Sequence, residues 1–370
     1  MSRRANAALL CALLLVGLPG AAASQDEVVD HLPMWPAASK KGVRDVTAFA
    51  DGFMAVGAND KPALSKSWTS ADGRSWTRQD GGDGFAGAMM LRVEGFGDGV
   101  VALGTQGRRL VGWHSPDGAE WFRYSIDRAK RGLEFFPDAL TAGPTGVLAV
   151  ASRIGQDLAG QRFYHSPDGQ AWSTVDAPVT TGHFASLEST PDEYLAVARP
   201  AFGPAEDLYW RSPDGQSWET FAGPADGWLY DIAVGADGSF VGVGDLRETE
   251  ATLRPAIWHA PELGAWELVY SYPSAKQTED RLYRVEAGGP GFVASGIISE
   301  CPAQPQRSCP VASILASADG REWQQLGVPE GVPGPLHGTE VTSIASDGET
   351  TVMVVWHEGP PNELWTLPAP

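Results

Sequence analysis

Short apolar runs recur along the chain at intervals of roughly fifty residues, a period typical of stacked or circular repeat folds. Each run is four or five residues long and is bounded by glycine or polar residues, which is the pattern of a buried β-strand. The seven runs are Phe53-Met-Ala-Val-Gly57, Val100-Val-Ala-Leu-Gly104, Val147-Leu-Ala-Val-Ala151, Tyr194-Leu-Ala-Val-Ala198, Phe240-Val-Gly-Val-Gly244, Phe292-Val-Ala-Ser-Gly296 and Val352-Met-Val-Val355.

A turn motif, Ser-x-Asp-Gly-x-x-Trp, follows five of these runs, and a degenerate copy from Ala260 to Trp266 follows a sixth. Serine and aspartate side chains hold tight turns by bonding to nearby backbone groups, glycine supplies the positive φ, and the tryptophan begins the next strand. We therefore interpret the motif acids as turn formers, not catalysts. They are Asp72, Asp117, Asp168, Asp214 and Asp319.

Two further strand patterns complete each repeat. One precedes the apolar run, as in Asp45-Val-Thr-Ala-Phe49, and the other, which contains Trp68 in the first repeat, leads into the turn motif. Four strands per repeat are the pattern of a propeller blade. The sequence predicts an all-β, seven-bladed β-propeller of four-stranded blades, with six blades as the alternative.

The seventh repeat ends at its third strand, Glu363-Leu-Trp365-Thr, and lacks a fourth. We expect the mature N-terminal strand, at Leu32-Pro-Met-Trp35, to supply the missing outer strand and close the ring. Twelve of the fourteen tryptophans then occupy repeat positions, and only Trp228 and Trp356 do not.

The first 23 residues have the features of a secretory signal peptide. Arg3 and Arg4 precede an apolar stretch, which ends in small residues at Ala21-Ala-Ala23. A lipoprotein signal at Cys11 is the alternative, although Leu10 stands where a small residue is expected. The predicted organisation is a signal peptide at 1–23 and a single propeller domain at 24–370, in a secreted or periplasmic protein without a membrane span.

Net charge and cysteine content limit the classes of partner and cofactor that we expect. The net charge is −19, which disfavours nucleic acid. Cys301 and Cys309 remain after removal of the signal and are expected to form a disulfide within one Pro-rich loop. No metal-ligand motif is present. We expect a monomer without a cofactor, with calcium in a loop or the channel as an alternative.

The turn motif resembles the Asp-box, or BNR repeat, of the sialidase-like superfamily, although this chain has one residue fewer between Asp and Trp. The resemblance implies a propeller whose Asp-box turns lie on the face opposite the functional site. Asp-boxes also occur in plant-cell-wall glycosidases, photosystem assembly factors and sorting receptors, so the motif does not determine the function.

Charged residues on the predicted innermost strands are the candidate site. Aligned strands place Asp45, Arg92, Ala139, Ser186, Asp231, Arg284 and Val341 at one position, and Thr47, Glu94, Thr141, Glu188, Ala233, Glu286 and Ser343 two residues on. These two positions face the same side of a strand. The predicted ligand-binding residues are Asp45, Arg92, Glu94, Asp231, Arg284 and Glu286. The alternative is that Arg92 with Glu94, and Arg284 with Glu286, form structural ion pairs.

The function we favour is a non-catalytic binding or scaffold module for a glycan or protein. It would use the face opposite the Asp-box turns, where we expect long loops at 125–137, 198–209, 245–256, 271–283 and 298–313. The alternative is an exo-sialidase-like glycosidase acting on an acidic sugar, in which arginines hold the substrate carboxylate. Tyr283 or Tyr230, polarised by Glu188, would then be the catalytic residues. The Phe/Tyr-Arg-Ile-Pro motif of sialidases is absent.

Overall fold

A computed structural model shows seven four-stranded antiparallel sheets arranged as the blades of a β-propeller. The structure describes residues 30–31, 42–50, 52–60, 63–79, 81–155, 160–178, 183–199, 208–249, 252–272, 280–288, 291–299, 310–326, 339–357 and 362–368. The predicted seven-bladed architecture is confirmed. One 3-10 helix, Gly82–Gly84, is the only helical segment within these ranges, and none of their helices is long and apolar enough to cross a membrane.

The first four blades follow one another along the chain, each running from the channel outwards. Blade 1 contains β2 (Val43–Phe49), β3 (Gly52–Asp60), β4 (Ala63–Ser70) and β5 (Thr77–Gln79). Blade 2 contains β6 (Met89–Phe96), β7 (Gly99–Gln106), β8 (Arg109–Ser115) and β9 (Phe122–Arg128). Blade 3 contains β10 (Glu134–Gly143), β11 (Gly146–Ile154), β12 (Gln161–Ser166) and β13 (Ser173–Val175). Blade 4 contains β14 (His183–Ser189), β15 (Tyr194–Arg199), β16 (Tyr209–Ser212) and β17 (Glu219–Thr220).

The last three blades repeat this order, and the seventh takes its outer strand from the other end of the chain. Blade 5 contains β18 (Gly227–Val234), β19 (Phe240–Thr249), β20 (Thr252–Ala260) and β21 (Glu267–Ser271). Blade 6 contains β22 (Arg281–Gly288), β23 (Gly291–Ser299), β24 (Pro310–Ser317) and β25 (Gln324–Gln325). Blade 7 contains β26 (Thr339–Ser346), β27 (Thr350–His357), β28 (Glu363–Pro368) and β1 (Asp30–His31).

The ring is closed by an N-terminal strand, as predicted. β1 pairs antiparallel with β28, with Asp30 opposite Thr366 and His31 opposite Trp365. Asp30 and His31 immediately precede the predicted segment. Leu32–Trp35 itself lies outside the described residues. The closing strand joins the two ends of the chain in one sheet, so the last blade has the same four strands as the others.

The hydrophobic core lies between adjacent blades. The second strands are buried on both faces, as in Phe53, Met54, Ala55 and Val56, because each lies in the middle of its sheet and between two neighbouring sheets. Bulky residues of the third strands add to this core, and Trp113 is fully buried. The apolar runs therefore lack alternation because both of their faces pack against protein.

The Ser-x-Asp-Gly turns, which connect the third and fourth strands, are held by their acids. In the fourth blade, Asp214 Oδ1 accepts hydrogen bonds from the backbone N–H groups of Gln216 (2.8 Å) and Ser217 (2.7 Å) and from the hydroxyl of Ser212 (3.1 Å). Gly215 has a φ of +70°, which a side chain would disfavour. The same bonds recur at Asp72, Asp117, Asp168 and Asp319.

The loops predicted at 125–137 and 245–256 are wrong, and the signal peptide and the disulfide cannot be compared with the structure. Segment 125–137 is mostly strand, because β9 continues to Arg128 and β10 begins at Glu134. Segment 245–256 is the hairpin of β19 and β20. The signal peptide and the cysteine pair lie outside the described residues.

Candidate binding site in the central channel

A β-bulge occurs near the start of every innermost strand. In each, one extra residue interrupts the register with the second strand, as between Val43 and Asp45 in β2. Bulges reorient the side chains that follow them and are frequent beside active sites. The extra residues are Arg44, Leu91, Asp138, Ala185, Tyr230, Tyr283 and Thr342.

The residue after each bulge forms an upper layer of the channel, nearest the loops that connect the blades. Its seven members are Asp45, Arg92, Ala139, Ser186, Asp231, Arg284 and Ser343. Six agree with the sequence alignment. The seventh is a correction, because the bulge in β26 places Ser343, not Val341, at this level, and Ala345 two residues on.

The acids of the upper layer connect neighbouring blades. Asp45 Oδ2 accepts a hydrogen bond from the backbone N–H of Val93 in the next blade (2.9 Å), and Asp231 Oδ2 accepts one from Val285 (3.1 Å). Ser186 also donates its hydroxyl to Asp231 Oδ1. Burial raises the pKa of both aspartates, while Arg92 near Asp45, and Arg284 near Asp231, lower it.

The upper layer has an internal repeat. Blades 7, 1 and 2 supply Ser343, Asp45 and Arg92, and blades 4, 5 and 6 supply serine, aspartate and arginine in the same order. The last blade of each group also carries a glutamate two residues after its arginine. Blade 3 separates the two groups on one side and has Ala139 at this position.

Three glutamates, Glu94, Glu188 and Glu286, form a lower layer of the channel. They border the cavity and are otherwise surrounded by protein. Burial raises the pKa of Glu188 to about 8. Burial, with the nearby charge of Glu188, also raises the pKa of Glu94 and Glu286 well above the ordinary value.

The ion pairs considered from the sequence do not form: neither Arg92–Glu94 nor Arg284–Glu286 occurs within 4 Å among the described ion pairs. Arg92 bonds instead to the backbone oxygens of Asp138 (3.0 Å) and Leu91 (2.8 Å) at the bulges. Its guanidinium also lies 5.9 Å from the ring centroid of Phe136. Arginine and glutamate therefore occupy different levels of the channel.

A cluster of aromatic and charged residues flanks the upper layer beside Arg284. The Arg199 guanidinium lies 4.7 Å from the ring centroid of Tyr230 and 5.9 Å from that of Tyr283. The Tyr230 hydroxyl donates a hydrogen bond to the carboxylate of Asp245, which is fully buried. Burial raises the pKa of Asp245 to about 6. The expected pairing of Tyr230 with Glu188 is thus replaced by a pair with Asp245.

Sequence reasoning missed Arg199, Asp245, Asp138 and Glu340. Arg199 ends β15 and Asp245 lies in the middle of β19, both second strands, and Asp138 is a bulge residue. Glu340 precedes the bulge of β26, close enough to Arg199 and Arg284 for their charges to lower its pKa. The alignment considered only the regular positions of first strands. One signal pointed to this region. Two tryptophans, Trp228 and Trp356, do not occupy repeat positions. Trp228 pairs with Asp245 across two strands, and Trp356 pairs with Glu340.

The channel cavity has a volume of about 440 Å³ and is lined by the innermost strands of all seven blades. This volume lies within the range of small-molecule sites. All six predicted ligand-binding residues and Glu188 border it, whereas Tyr230 and Tyr283 do not. Within the described ranges, no three His, Cys, Asp or Glu side chains are grouped so that they could hold a metal ion.

Comparison with known proteins identifies the fold. No protein-family model and no curated protein matches the chain. Among solved structures, YCF48 bound to D1 peptide is 17% identical, covers 92% of this chain and 99% of its own, and has a TM-score of 0.53. A catalytically inactive virginiamycin B lyase from Staphylococcus aureus with quinupristin is 11% identical, with 91% and 98% covered and a TM-score of 0.56.

An oligogalacturonate lyase in complex with manganese is similar to the same degree, at 12% identity, with 93% and 98% covered and a TM-score of 0.52. These proteins include a peptide-bound protein and two lyases, so one propeller architecture carries different functions. At these identities the likeness concerns the fold alone.

Proposed function

We propose that this protein is an exported, non-catalytic binding or scaffold module. Its partner, a glycan or a protein, docks around the mouth of the channel, on the face opposite the Ser-x-Asp-Gly turns. Export rests on the N-terminal leader pattern, and the binding role rests on the side chains around the mouth.

The observation that carries this proposal is the environment of Arg199. Its guanidinium lies near two tyrosine rings, its Nε has no hydrogen-bond partner, and it forms no ion pair in the described part of the chain. Burial lowers the pKa of Arg199, since removal from water disfavours its charge. Although the Nε is buried, an arginine held in this way retains terminal N–H groups that can donate to a partner's acceptor groups.

Further aromatic side chains lie at the same end of the blades as this arginine, near the start of the first strand or the end of the second. Trp356 is 38% exposed and Phe136 is 43% exposed, while Trp228 lies 5.1 Å below the guanidinium of Arg247. Aromatic residues and arginine are enriched at binding surfaces, because they combine a large contact area with directed polar groups. On the opposite face, the turn acids are already occupied by hydrogen bonds within the turns.

The test is to screen the secreted protein against glycan and peptide arrays and to measure the captured ligand by calorimetry. Arg199→Ala and Trp356→Ala should each weaken binding about tenfold or more, as expected for central interface residues. Arg321→Ala, in the turn of blade 6 on the opposite face, is the matched control and should bind normally. Equal binding by all three variants would contradict the proposed surface.

Hydrolysis of an acidic glycoside is a second candidate function, favoured by one contact. Tyr230 donates its hydroxyl to Asp245 beside Arg199 and Arg281, which resembles a tyrosine activated by a carboxylate. Burial and the nearby Asp245 charge raise the pKa of Tyr230, which disfavours the phenolate. Turnover of a fluorogenic sialoside that is lost in Asp245→Asn would establish this activity in place of simple binding.

A further inference from the structure

The channel cavity contains more carboxyl groups than guanidinium groups. Among the residues that the structure describes, two arginines border it, Arg92 and Arg284. Its acidic residues are Asp45, Glu94, Asp138, Glu188, Asp231 and Glu286. This imbalance is not distributed evenly between the two layers.

In the upper layer and at the bulge residue Asp138 beside it, each acid has a hydrogen-bond donor and a nearby arginine. Asp45 and Asp231 accept backbone N–H groups, and Asp138 Oδ2 accepts hydrogen bonds from Ser152 (2.7 Å) and Gln161 (2.9 Å). Arg92 lowers the pKa of Asp45 and Asp138, and Arg284 lowers that of Asp231. Both arginines thus act on aspartates at their own level.

In the lower layer, backbone N–H groups reach two of the three acids, but none of the described ion pairs joins these acids to an arginine. A backbone hydrogen bond from Ala142 lowers the pKa of Glu94 without offsetting the effect of burial. The Glu188 carboxylate accepts one hydrogen bond, from the backbone N–H of Ser189 (3.0 Å). Within the described residues, no hydrogen bond or ion pair reaches the carboxyl group of Glu286. Next to burial, the main effect on the pKa of Glu286 comes from nearby carboxylates, foremost Glu188 and Glu94, which raise it. Arg92 cannot compensate these acids, because backbone oxygens hold its guanidinium at the bulges.

An enclosed carboxylate without a counter-charge is strongly unfavourable, so such a group either stays protonated or takes up a cation. A bare metal ion does not fit, since these carboxyls are not grouped at coordinating distance. A cavity of about 440 Å³ instead accommodates an alkyl chain with a cationic head, whose several N–H donors reach separate carboxylates. The acidic surface, with a net charge of −19, also favours the approach of cations.

We propose that the lower layer of the channel binds an organic cation, an alkylammonium or guanidinium group, between Glu94, Glu188 and Glu286. The group belongs either to a free amine or to a lysine or arginine side chain of the docked partner. This inference rests on the proposed binding function and names the chemistry of the channel below the docking surface.

The test is isothermal titration calorimetry of the mature protein at pH 7 with three probes: putrescine, agmatine and Nα-acetyl-lysine amide. We expect saturable binding of at least one probe. It should be accompanied by proton release, which is measured by repeating the titration in buffers of different ionisation enthalpy, because the cation converts protonated glutamates to carboxylates. Binding of the free amines alone supports a small-molecule ligand, whereas binding of the lysine derivative supports a basic side chain.

Glu188→Gln and Glu286→Gln are near-isosteric variants that remove one charge each. Each should weaken binding about tenfold or more, since hydrogen bonds to charged groups are the stronger ones. The matched control is Glu322→Gln at an exposed glutamate of a turn, which should bind as the unmodified protein does. Circular dichroism and thermal melting verify that the variants fold.

Absence of saturable binding with all three probes would overturn the cation site. Binding that is equal in the channel variants and the control would overturn it too, since the cation would then lie on the outer surface. The array screen with Arg199→Ala is independent of this result. If the array screen finds a partner but no cation probe binds, only the cation site is refuted. If neither a partner nor a cation probe binds, the proposed binding function is refuted as well.

Discussion

Carboxyl groups in this protein occupy two opposite environments. In the turns, hydrogen bonds from backbone N–H groups to the carboxylate lower the pKa of Asp72, Asp168 and Asp214, so these acids are stabilised as anions. In the channel, burial raises the pKa of Glu94 and Glu188, so these acids are stabilised as neutral groups. The turn aspartates stabilise the fold, and the channel glutamates belong to the proposed cation site.

Replacement of Glu188 by glutamine should increase stability in a pH-dependent way. The pKa of Glu188 is about 8 in the folded chain against an ordinary value of 4.5. Between these values the folded state binds more protons than the unfolded state, so the stability contributed by this group is complete below pH 4.5 and is lost as the pH rises towards 8. Glu188→Gln should therefore raise the Tm by on the order of 3 °C or more at pH 8.

At pH 5 the same variant should melt close to the unmodified protein, because Glu188 is then protonated and neutral. Glu322→Gln, at an exposed position, should change the Tm little at either pH. A variant effect that is equal at both pH values would refute the assigned pKa.

Asp214→Ala should destabilise the protein, because the backbone N–H groups of Gln216 and Ser217 lose their acceptor. We expect a loss of about 1–2 kcal/mol in the free energy of unfolding, measured by urea denaturation at pH 7. The pKa of Asp214 is lowered in the folded state, so this contribution is present above pH 3.8 and is lost as the pH falls below it. Asp192→Ala, at an exposed turn position, should have little effect.

At the scale of the element, the bulged innermost strand positions the site. Because side chains alternate along a strand, the extra residue determines which side chains enter the channel. Glycine occupies the position opposite the start of several bulges, including Gly104, Gly244 and Gly296. A Cβ at Gly296 would overlap the backbone oxygen of Arg281, so the bulge requires the absence of a side chain there.

Gly296→Ala should disturb the bulge that precedes Arg284 and Glu286. We expect a destabilisation of about 2 kcal/mol, since the clash is with backbone and cannot be relieved by a rotamer change. Urea denaturation measures the stability, and calorimetry with the probes measures the site. Gly42→Ala is the control, because a Cβ at Gly42 meets nothing within 4 Å. Unchanged stability in Gly296→Ala would show that the bulge accepts a side chain.

At the scale of the whole molecule, the ring is closed by backbone pairing, to which the described residues contribute Asp30 and His31. Asp30 and His31 pair with β28, and they cover the outer edge of blade 7. Without them, β28 would be an exposed edge strand, which promotes association with other chains. Channel geometry follows from closure, because the lining comes from all seven blades.

Removal of the chain through His31 should therefore lower the Tm and promote association. The matched control is a chain that starts at Asp30 and retains β1. Thermal melting and size-exclusion chromatography with light scattering compare the two. The same melting curve and the same mass for both chains would mean that β1 is dispensable for closure.

The repeat was predictable because each blade is specified by local residues. The apolar runs mark the second strands, the glycines after Asp72 and Asp214 mark the turns, and the truncated last repeat indicates closure from the N-terminus. Seven of the eight charged residues that border the channel cavity were also predictable, since alternation along a strand places them on one face; the eighth, Asp138, lies at a bulge. Their partners were not, because Asp45 bonds to Val93 in another blade.

The sequence by itself determined the number of blades, the strand pattern, the turn chemistry and the identity of the acids and arginines on the innermost strands, because these features arise from contacts within one repeat. Only the tertiary structure decided the bulges, the register of Ser343, the separation of arginine and glutamate into two layers, and the cluster of Arg199, Tyr230 and Asp245. These features depend on groups from different blades, which meet only when the ring is closed.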